Sequence, residues 1–578
     1  MSKKFAADFE TTTDINDCRV WAYSLCEIGN PSNFIYGNNI DDFIKWCSDP
    51  KVNYTLYFHN LKFDSEFIFN YLLNNGYTVI KDKKERQDKT FTTLISDMNQ
   101  IYSIEIFFDT HNPKHVNKVT IFDSLKILNF SVEQIAKDFN LPIRKLELDY
   151  ESYREVGHIL TEHEIDYIRN DVEIMARALD YMFQNNLKKM TIGGDALSDY
   201  KNIISNFKHY FPVLPYEIDK DIRKSYRGGF TYLNDCYKEK TTGAGWVLDV
   251  NSLYPSVMYN ELLPFGEPLF FEGKYEEDKL YPLYIQTISA AFDIKKDHIP
   301  TVQLKNNTNF IPTEYITTTE GDIVTLTLTS VDLELFLKQY DVHYITYHNG
   351  WKFKGIKGLF KTYIDKWINV KIQSKKDNNG AMYRIAKLML NSLYGKFGLN
   401  PDIRSKYPEL NEDGIVTYKF YDRETREPIY IPMASFITSY ARLKTITTSQ
   451  AIKTYSIENF GEDKYVYSDT DSIHTTFTDT EILKKFVDID DYRLGAWKLE
   501  SQYIKGKYLR AKSYIELSPE GRLNCTVAGL PKNCSGMVDF DNFKVGSKYY
   551  GKMIPLHVKG GIVLHPDYFT VRKKWRII

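Results

Sequence analysis

Two carboxylates stand two residues apart in Lys464-Tyr465-Val466-Tyr467-Ser468-Asp469-Thr470-Asp471-Ser472-Ile473-His474. On a strand, alternate side chains share a face, so Asp469 and Asp471 can point at one divalent cation. An Asp-Thr-Asp triplet alone is commonly a solvated turn. Here the approach through Tyr465, Val466 and Tyr467 makes a half-buried turn, and two adjacent carboxylates are costly to bury without a cation. Further acids fall into similar places. Phe5-Ala6-Ala7-Asp8-Phe9-Glu10 reads as an opening strand with Asp8 and Glu10 on one face. Asn60 and Asp64 lie where the apolar run Leu56-Tyr57-Phe58 enters a helix. A helix opened by Thr161 with Glu164 three residues later, a capping box, carries Tyr167 and Asp171 on one face. Asp249 ends the apolar strand Trp246-Val247-Leu248. Taken singly, each has a plain alternative as a strand-end charge, a helix-terminus charge or an N-cap.

These acids need a scaffold larger than one core. At 578 residues the chain exceeds the size at which a single core keeps growing, so several domains are expected. Strands and helices alternate over residues 1–190, which suits an α/β sheet. Net charge is −2, so a nucleic-acid partner would need charge gathered locally. Such a gathering exists between Lys352 and Lys396, where eleven Lys or Arg face only Asp365 and Asp377. Within it, residues 381–395 have helical period and align Arg384, Lys387, Asn391 and Tyr394 on one face. A solvated basic face is the usual fate of such a stripe, but Asn and Tyr in line with Lys suit triphosphate and base contact. The 44 Tyr and 35 Phe offer stacking surfaces, although most aromatics belong to cores. Six Cys without Cys-x-x-Cys spacing argue against a zinc site and fit reduced thiols in a cytosol. No apolar run is long enough to span a bilayer, which predicts no membrane partner.

Asp-x-Glu, Asn-x-x-x-Asp and Tyr-x-x-x-Asp, in this order, resemble the DEDD-type 3′-5′ proofreading exonucleases in their Tyr-containing branch. Asp249 in Asp-x-x-Ser-Leu-Tyr-Pro-Ser resembles motif A of the family B DNA polymerases, Lys387 in Lys-x-x-x-Asn-Ser-x-Tyr-Gly motif B, and Tyr-x-Asp-Thr-Asp-Ser motif C. Tyr226-Arg227-Gly228-Gly229 is similar to the Tyr-x-Gly-Gly motif between exonuclease and polymerase domains, and Lys512-Ser513-Tyr514 to the Lys-x-Tyr motif. Two long insertions resemble one subgroup, the protein-primed phage polymerases of the phi-29 type, and the resemblance covers essentially the whole chain.

That resemblance implies an α+β multidomain fold, an RNase H-like α/β exonuclease plus a right-hand polymerase with two insertions. The implied division is exonuclease 1–190, palm 191–262 and 432–526, first terminal-protein region 263–358, fingers 359–397, second terminal-protein region 398–431 and thumb 527–578. In the exonuclease, Asp8, Glu10, Asp64 and Asp171 would hold two divalent metals on the order of 4 Å apart, with Tyr167 orienting the attacking water and Lys145 assisting. Thr11, His59, Asn60, Phe63, Ser124 and Leu125 would grip the strand end. In the polymerase, Asp249, Val250 and Asp471 would bind two Mg²⁺, for which Mn²⁺ can substitute, with Asp469 in support. Lys371, Arg384 and Lys387 would face the triphosphate, where the usual basic position before Lys387 is taken by Tyr383. Tyr254, Asn391 and Tyr394 would meet the incoming sugar and base, while Tyr226, Gly228, Gly229, Lys512 and Tyr514 would touch DNA. The implied partners are primer-template DNA, dNTPs and a terminal priming protein, for a monomer in the cytoplasm of a phage-infected host. A nuclease with a degenerate polymerase clamp and a non-catalytic adaptor are the rival readings, and neither needs carboxylates placed in both halves. The basic tail from Val571 to Ile578 is read as a duplex contact or a solvated end.

Overall fold

The structure is a computed structural model that describes residues 2–112, 115–150, 152–304 and 314–572. The basic tail therefore lies almost wholly outside the described residues.

The N-terminal domain is built on a ten-stranded mixed sheet. Its centre is β1 (Ser2–Thr11), flanked by antiparallel β2 (Val20–Glu27) and parallel β3 (Asn53–Phe58), the latter leading into α1 (Leu61–Asn74). Beyond β3 come β4 (Thr90–Ile95), β5 (Ile101–Asp109) and β6 (Asn117–Asp123), with β6 parallel to β3 and next to it. Phe5, Ala7 and Phe9 point one way into an aromatic core, which leaves Asp8 and Glu10 on the face covered by α2 (Glu162–Gln184). The α2 N-terminus carries the capping box expected from sequence, Thr161 with Glu164.

The palm is a five-stranded antiparallel sheet. Its strand β7 (Gly245–Val250), next to one edge, is followed by the short helix α3 (Leu253–Asn260). A four-stranded sheet then intervenes, built from Leu263–Glu272, Leu283–Ile294, Val324–Thr329 and Tyr340–Ile356. The antiparallel pair α4 (Lys361–Lys376) and α5 (Gly380–Phe397) carries the basic stripe. Next come the hairpin β8 (Lys406–Leu410) and β9 (Val416–Phe420), then the 30-residue helix α6 (Ile431–Phe460) that backs the palm. The remaining palm strands are β10 (Tyr465–Asp469), β11 (Ser472–Thr475) and β12 (Trp497–Tyr503).

Two placements depart from the division read in the sequence. The β8–β9 hairpin, expected as part of a separate insertion, joins the N-terminal sheet at its β4 edge, with Lys406 opposite Ile95. An exposed edge strand presents unpaired amides and carbonyls; the hairpin meets this edge at its Ile95 end, and the short strand Thr78–Val79 pairs with it at Thr90 and Phe91. At the other boundary, residue 526 falls inside the strand Leu523–Val527, whose Val527 shares a core with Leu509, Ile515, Cys534 and Phe569. The C-terminal unit thus includes strands from Lys505 onward, and no break in apolar patterning marks its start.

The last two strands, β13 (Lys548–Val558) and β14 (Gly561–Thr570), form a long hairpin that reaches back to α1. A Cβ on Gly560 would lie 2.0 Å from the Cys18 carbonyl oxygen, and Gly560 has φ +99, so both space and backbone require glycine at this landing. Buried Glu66 on α1 lies between the two visiting hairpins. The Tyr418 hydroxyl of β9 donates to its Oε1 at 2.6 Å, and the His557 Nδ1 of β13 lies 3.3 Å from its Oε2.

Two candidate metal centres on one chain

In the N-terminal domain, carboxylate oxygens of Asp8, Glu10 and Asp171 all lie within 4.8 Å of one another. Asp64 is buried in the first turn of α1 and interacts electrostatically with Asp8 and Glu10. Burial, then the neighbouring Asp171, pushes Asp8 up to about 7. Burial and neighbouring acids likewise hold Glu10 and Asp64 well above the carboxylate range. Asp171 is raised by burial despite Lys145, whose ammonium it contacts. Among the described residues Asp171 Oδ1 is buried with no hydrogen-bond partner. Crowded, desolvated acids with an orphaned oxygen fit a multivalent cation.

Tyr167 is buried beside this cluster, and its hydroxyl lies 2.6 Å from that of Tyr150 and 3.2 Å from Lys145 Nζ. Thr11 ends β1 and is half-buried. The expected strand-gripping residues sort into two groups. Asn60, in left-handed backbone at φ 78, makes no side-chain cap bond and is exposed, while Phe63 and Leu125 are half-buried beside it. His59 and Ser124 are instead engaged internally. The His59 Nδ1 lies 3.0 Å from Ser124 Oγ and its Nε2 2.7 Å from the Phe130 carbonyl, while fully buried Ser124 donates to the Phe58 carbonyl. As placed, Ser124 supports His59 rather than facing open space.

In the palm, β7 pairs with β11, and the Val250 amide donates to the Asp471 carbonyl at 2.8 Å, which sets Asp249 and Asp471 side by side. Asp249 is therefore a strand residue, and Ser252 takes the cap position of α3. Burial, then Asp471 and Glu500, pushes Asp249 up to about 6. Asp471 is raised too, chiefly by burial. Asp469 is held differently. Lys512 Nζ bridges its two oxygens at 2.8 and 2.9 Å, the Tyr467 hydroxyl donates to it at 3.1 Å and the Thr231 hydroxyl at 3.3 Å. Tyr514 packs beneath this turn against Tyr467 and His474.

The turn itself is strained, with Thr470 at φ 60, and a backbone bond from its amide to the Phe230 carbonyl fixes it. A Cβ on Gly229 would meet Thr470 Oγ1 at 2.6 Å, so Gly229 is small because the turn presses on it, while Gly228 is exposed. Tyr226 lies over Gly398, where a Cβ would sit 2.6 Å from its hydroxyl.

On α5, Lys387 and Asn391 are exposed on one face, and Tyr394 stacks on Tyr254 with ring centroids 4.1 Å apart. Lys371 of α4 is half-buried, and its ammonium is held below the usual lysine range by burial and by the nearby charges of Lys387 and Lys498. Three ammonium groups thus gather above Asp249. Arg384 departs from the expectation: its Nε lies 2.9 Å from Asp138 Oδ2 of the N-terminal domain and its guanidinium covers Phe130. It begins a turn nearer the helix tip than Lys387 and finds an acid there, so it ties the tip to that domain.

Glu500, Lys498, Tyr150 and Thr231 are site neighbours that sequence reasoning missed, while Tyr467 enters that reasoning only as part of the apolar approach and of the Tyr-x-Asp-Thr-Asp-Ser motif. For Glu500 and Lys498 the signal is two-residue spacing after Trp497, but that strand has no local mark linking it to Asp249.

The chain matches the family described as DNA polymerase type B, organellar and viral, over residues 49–488, and it belongs to that family. Within it, the chain is a DNA polymerase of the phi29 type, a class that includes 3′-5′ exonuclease activity. It is 46% identical to the DNA polymerase of Bacillus phage Nf over 593 residues, covering 99% of this chain and 100% of the relative. It superposes on phi29 DNA polymerase complexed with primer-template DNA and incoming nucleotide with a TM-score of 0.92, at 43% identity, covering 99% of this chain and 100% of that one. The same polymerase complexed with single-stranded DNA gives a TM-score of 0.90 at 43% identity, with the same coverage.

Proposed function

We propose that the chain replicates a phage genome in the cytoplasm of the infected host, initiating on a terminal protein, displacing the non-template strand and proofreading its product. The observation that carries this reading is the presence of two separate carboxylate sets on one chain, Asp8, Glu10, Asp64 and Asp171 in one domain and Asp249 with Asp471 in another. The raised carboxyl groups and the orphaned Asp171 oxygen support divalent ions in both, with Val250 beside the palm pair. Bound there, Mg²⁺ would acidify the attacking hydroxyl or water and neutralise the leaving oxygen.

The chain's own residues do the rest. Lys371 and Lys387 draw in the triphosphate, and the Tyr254–Tyr394 stack forms the wall against which sugar and base pack. Asp469 holds Lys512 and the Tyr467 hydroxyl in place, and Lys512 with Tyr514 seats the primer end. Placement to about 1 Å matters, since a misplacement of that size costs on the order of a hundredfold in rate. In the nuclease, Tyr167 orients water, and Lys145 steadies Asp171. Asn60, Phe63, Thr11 and Leu125 grip a frayed end that His59 and Ser124 support from behind.

The β8–β9 and β13–β14 hairpins both landing on α1 favour enclosure of the template, which supports strand displacement. The test is extension of a primed circular template by the pure protein with dNTPs and Mg²⁺, without helicase or clamp. Products many template lengths long are expected. No incorporation would sink the reading, and products stopping at one circle would remove strand displacement from it.

A further inference from the structure

The palm holds a cation of its own among the acids. Asp249 of β7 stands directly opposite Lys498 of β12, a register that places paired side chains on one face with Cβ atoms about 5 Å apart. The Lys498 Nζ lies 3.0 Å from Asp249 Oδ1 and 3.6 Å from Glu500 Oε1. Glu500, two residues on, shares that face by strand alternation, and β12 carries a bulge at this point. Val247 pairs with Ser501 and Leu248 with Leu499, leaving Glu500 as the extra residue. The positive charge of Lys371 acts on Lys498 and that of Lys387 on Lys371, so a move of the Lys498 ammonium toward those lysines is opposed by repulsion. The second ion-pair partner of Lys498 is Glu500, 46% exposed, and the lysine's charge also acts on Asp471.

We infer that Lys498 is a positioning residue. Its ammonium holds Asp249 until a divalent ion displaces it onto Glu500, and this competition sets the ion concentration at which the palm site fills. The physical reason is electrostatic: one ammonium and one divalent ion cannot share a single carboxylate oxygen without repulsion, and the ion must overcome the lysine pair first. Pre-pairing also keeps Asp249 and Asp471 from driving the two strands apart. This inference rests on the palm acids being a metal site.

The experiment measures Mn²⁺ binding to protein without DNA or nucleotide, by the loss of the free-ion paramagnetic resonance signal. The host protein carries Asp8→Ala and Asp64→Ala, so that the palm is the site being filled. Against this parent, Lys498→Met, which keeps the stem and removes the charge, should bind Mn²⁺ at least about fivefold more tightly. Lys498→Arg, which keeps the charge, should stay within about twofold of the parent. Folding is verified with Lys498→Met in the otherwise unaltered chain, through its degradation of single-stranded DNA. Unchanged or weaker Mn²⁺ affinity in Lys498→Met would overturn the inference while leaving the metal site standing. Absence of palm Mn²⁺ binding in the parent would overturn both.

Discussion

In the N-terminal domain three carboxylates converge with one lysine, Lys145, among them, whereas in the palm Asp249 faces Lys498 and Asp469 faces Lys512. Both sites crowd acids into half-buried clefts, but they distribute compensating charge differently. Burial and the neighbouring acids favour the neutral form of the N-terminal acids, pushing Asp8 up to about 7 and Glu10 and Asp64 well above the carboxylate range. In the palm the register of β12 on β7 supplies Lys498 to Asp249, Lys512 reaches Asp469 from the turn between Lys505–Arg510 and Ser513–Leu517, and Asp249 is pushed up only to about 6. A site that opens only to a metal and a site already carrying internal cations should therefore answer differently to substitution, pH and chelation.

The largest separation should come from removing the acids. Asp249→Asn should lower primer extension by at least about a thousandfold and leave single-strand degradation within about threefold. Asp8→Ala with Asp64→Ala should do the reverse. If either change abolished both activities in a folded protein, the sites would not be independent. Next, Lys145→Ala should cut the degradation rate about a hundredfold through loss of Asp171 and Tyr167 positioning, with extension unchanged. Equal losses in both activities would break the contrast.

Chelation sharpens it further. Because Asp8 is raised in the folded state, the native protein retains a proton that the unfolded chain releases between its usual 3.8 and about 7. That contribution to stability is full below about pH 4 and is lost as the pH rises to about 7. In a chelator the melting temperature should fall across this window, and Asp8→Asn should flatten the fall and raise the melting temperature at pH 8 by several degrees. Identical profiles for the two proteins would show that the acids do not store protons.

The smallest effect should be at Glu66. His557 is raised above its usual 6.5, first by its bond to Glu66, so the stabilisation it lends is present at lower pH and fades as the pH rises through that elevated value. His557→Ala should shorten products on a circular template severalfold at pH 6.5 and less at pH 8.5, with single-nucleotide addition unchanged. An equal effect at both pH values would mean that charge plays no part in the contact.

The motif acids were legible in sequence because strand and helix periodicity fixes which side chains share a face, and Asp8 with Glu10 or Tyr167 with Asp171 needs no long-range information. What stayed hidden depended on pairing between distant segments. Glu500 and Lys498 share a face by alternation, but they acquire meaning only from the register of β12 on β7, which sets Lys498 opposite Asp249. Arg384 fitted the basic stripe of its helix, yet Asp138 lies nearer to it than the triphosphate side. The landing of β8–β9 on β4 joins residues some three hundred positions apart through a single register pair, and no local pattern encodes it.

That landing bears on how the chain comes to be folded. Thr78–Val79 pairs with the first half of the β4 edge from within the domain, but the Ile95 end lacks Lys406, and Glu66 lacks its Tyr418 partner, until residues 406–420 have been made. During synthesis the first domain thus waits through residues 190–405 with the Ile95 end of that strand unpaired, a period in which pairing with another chain competes with the proper hairpin. Translation speed between residues 190 and 420 would then govern how much of the enzyme reaches its native form.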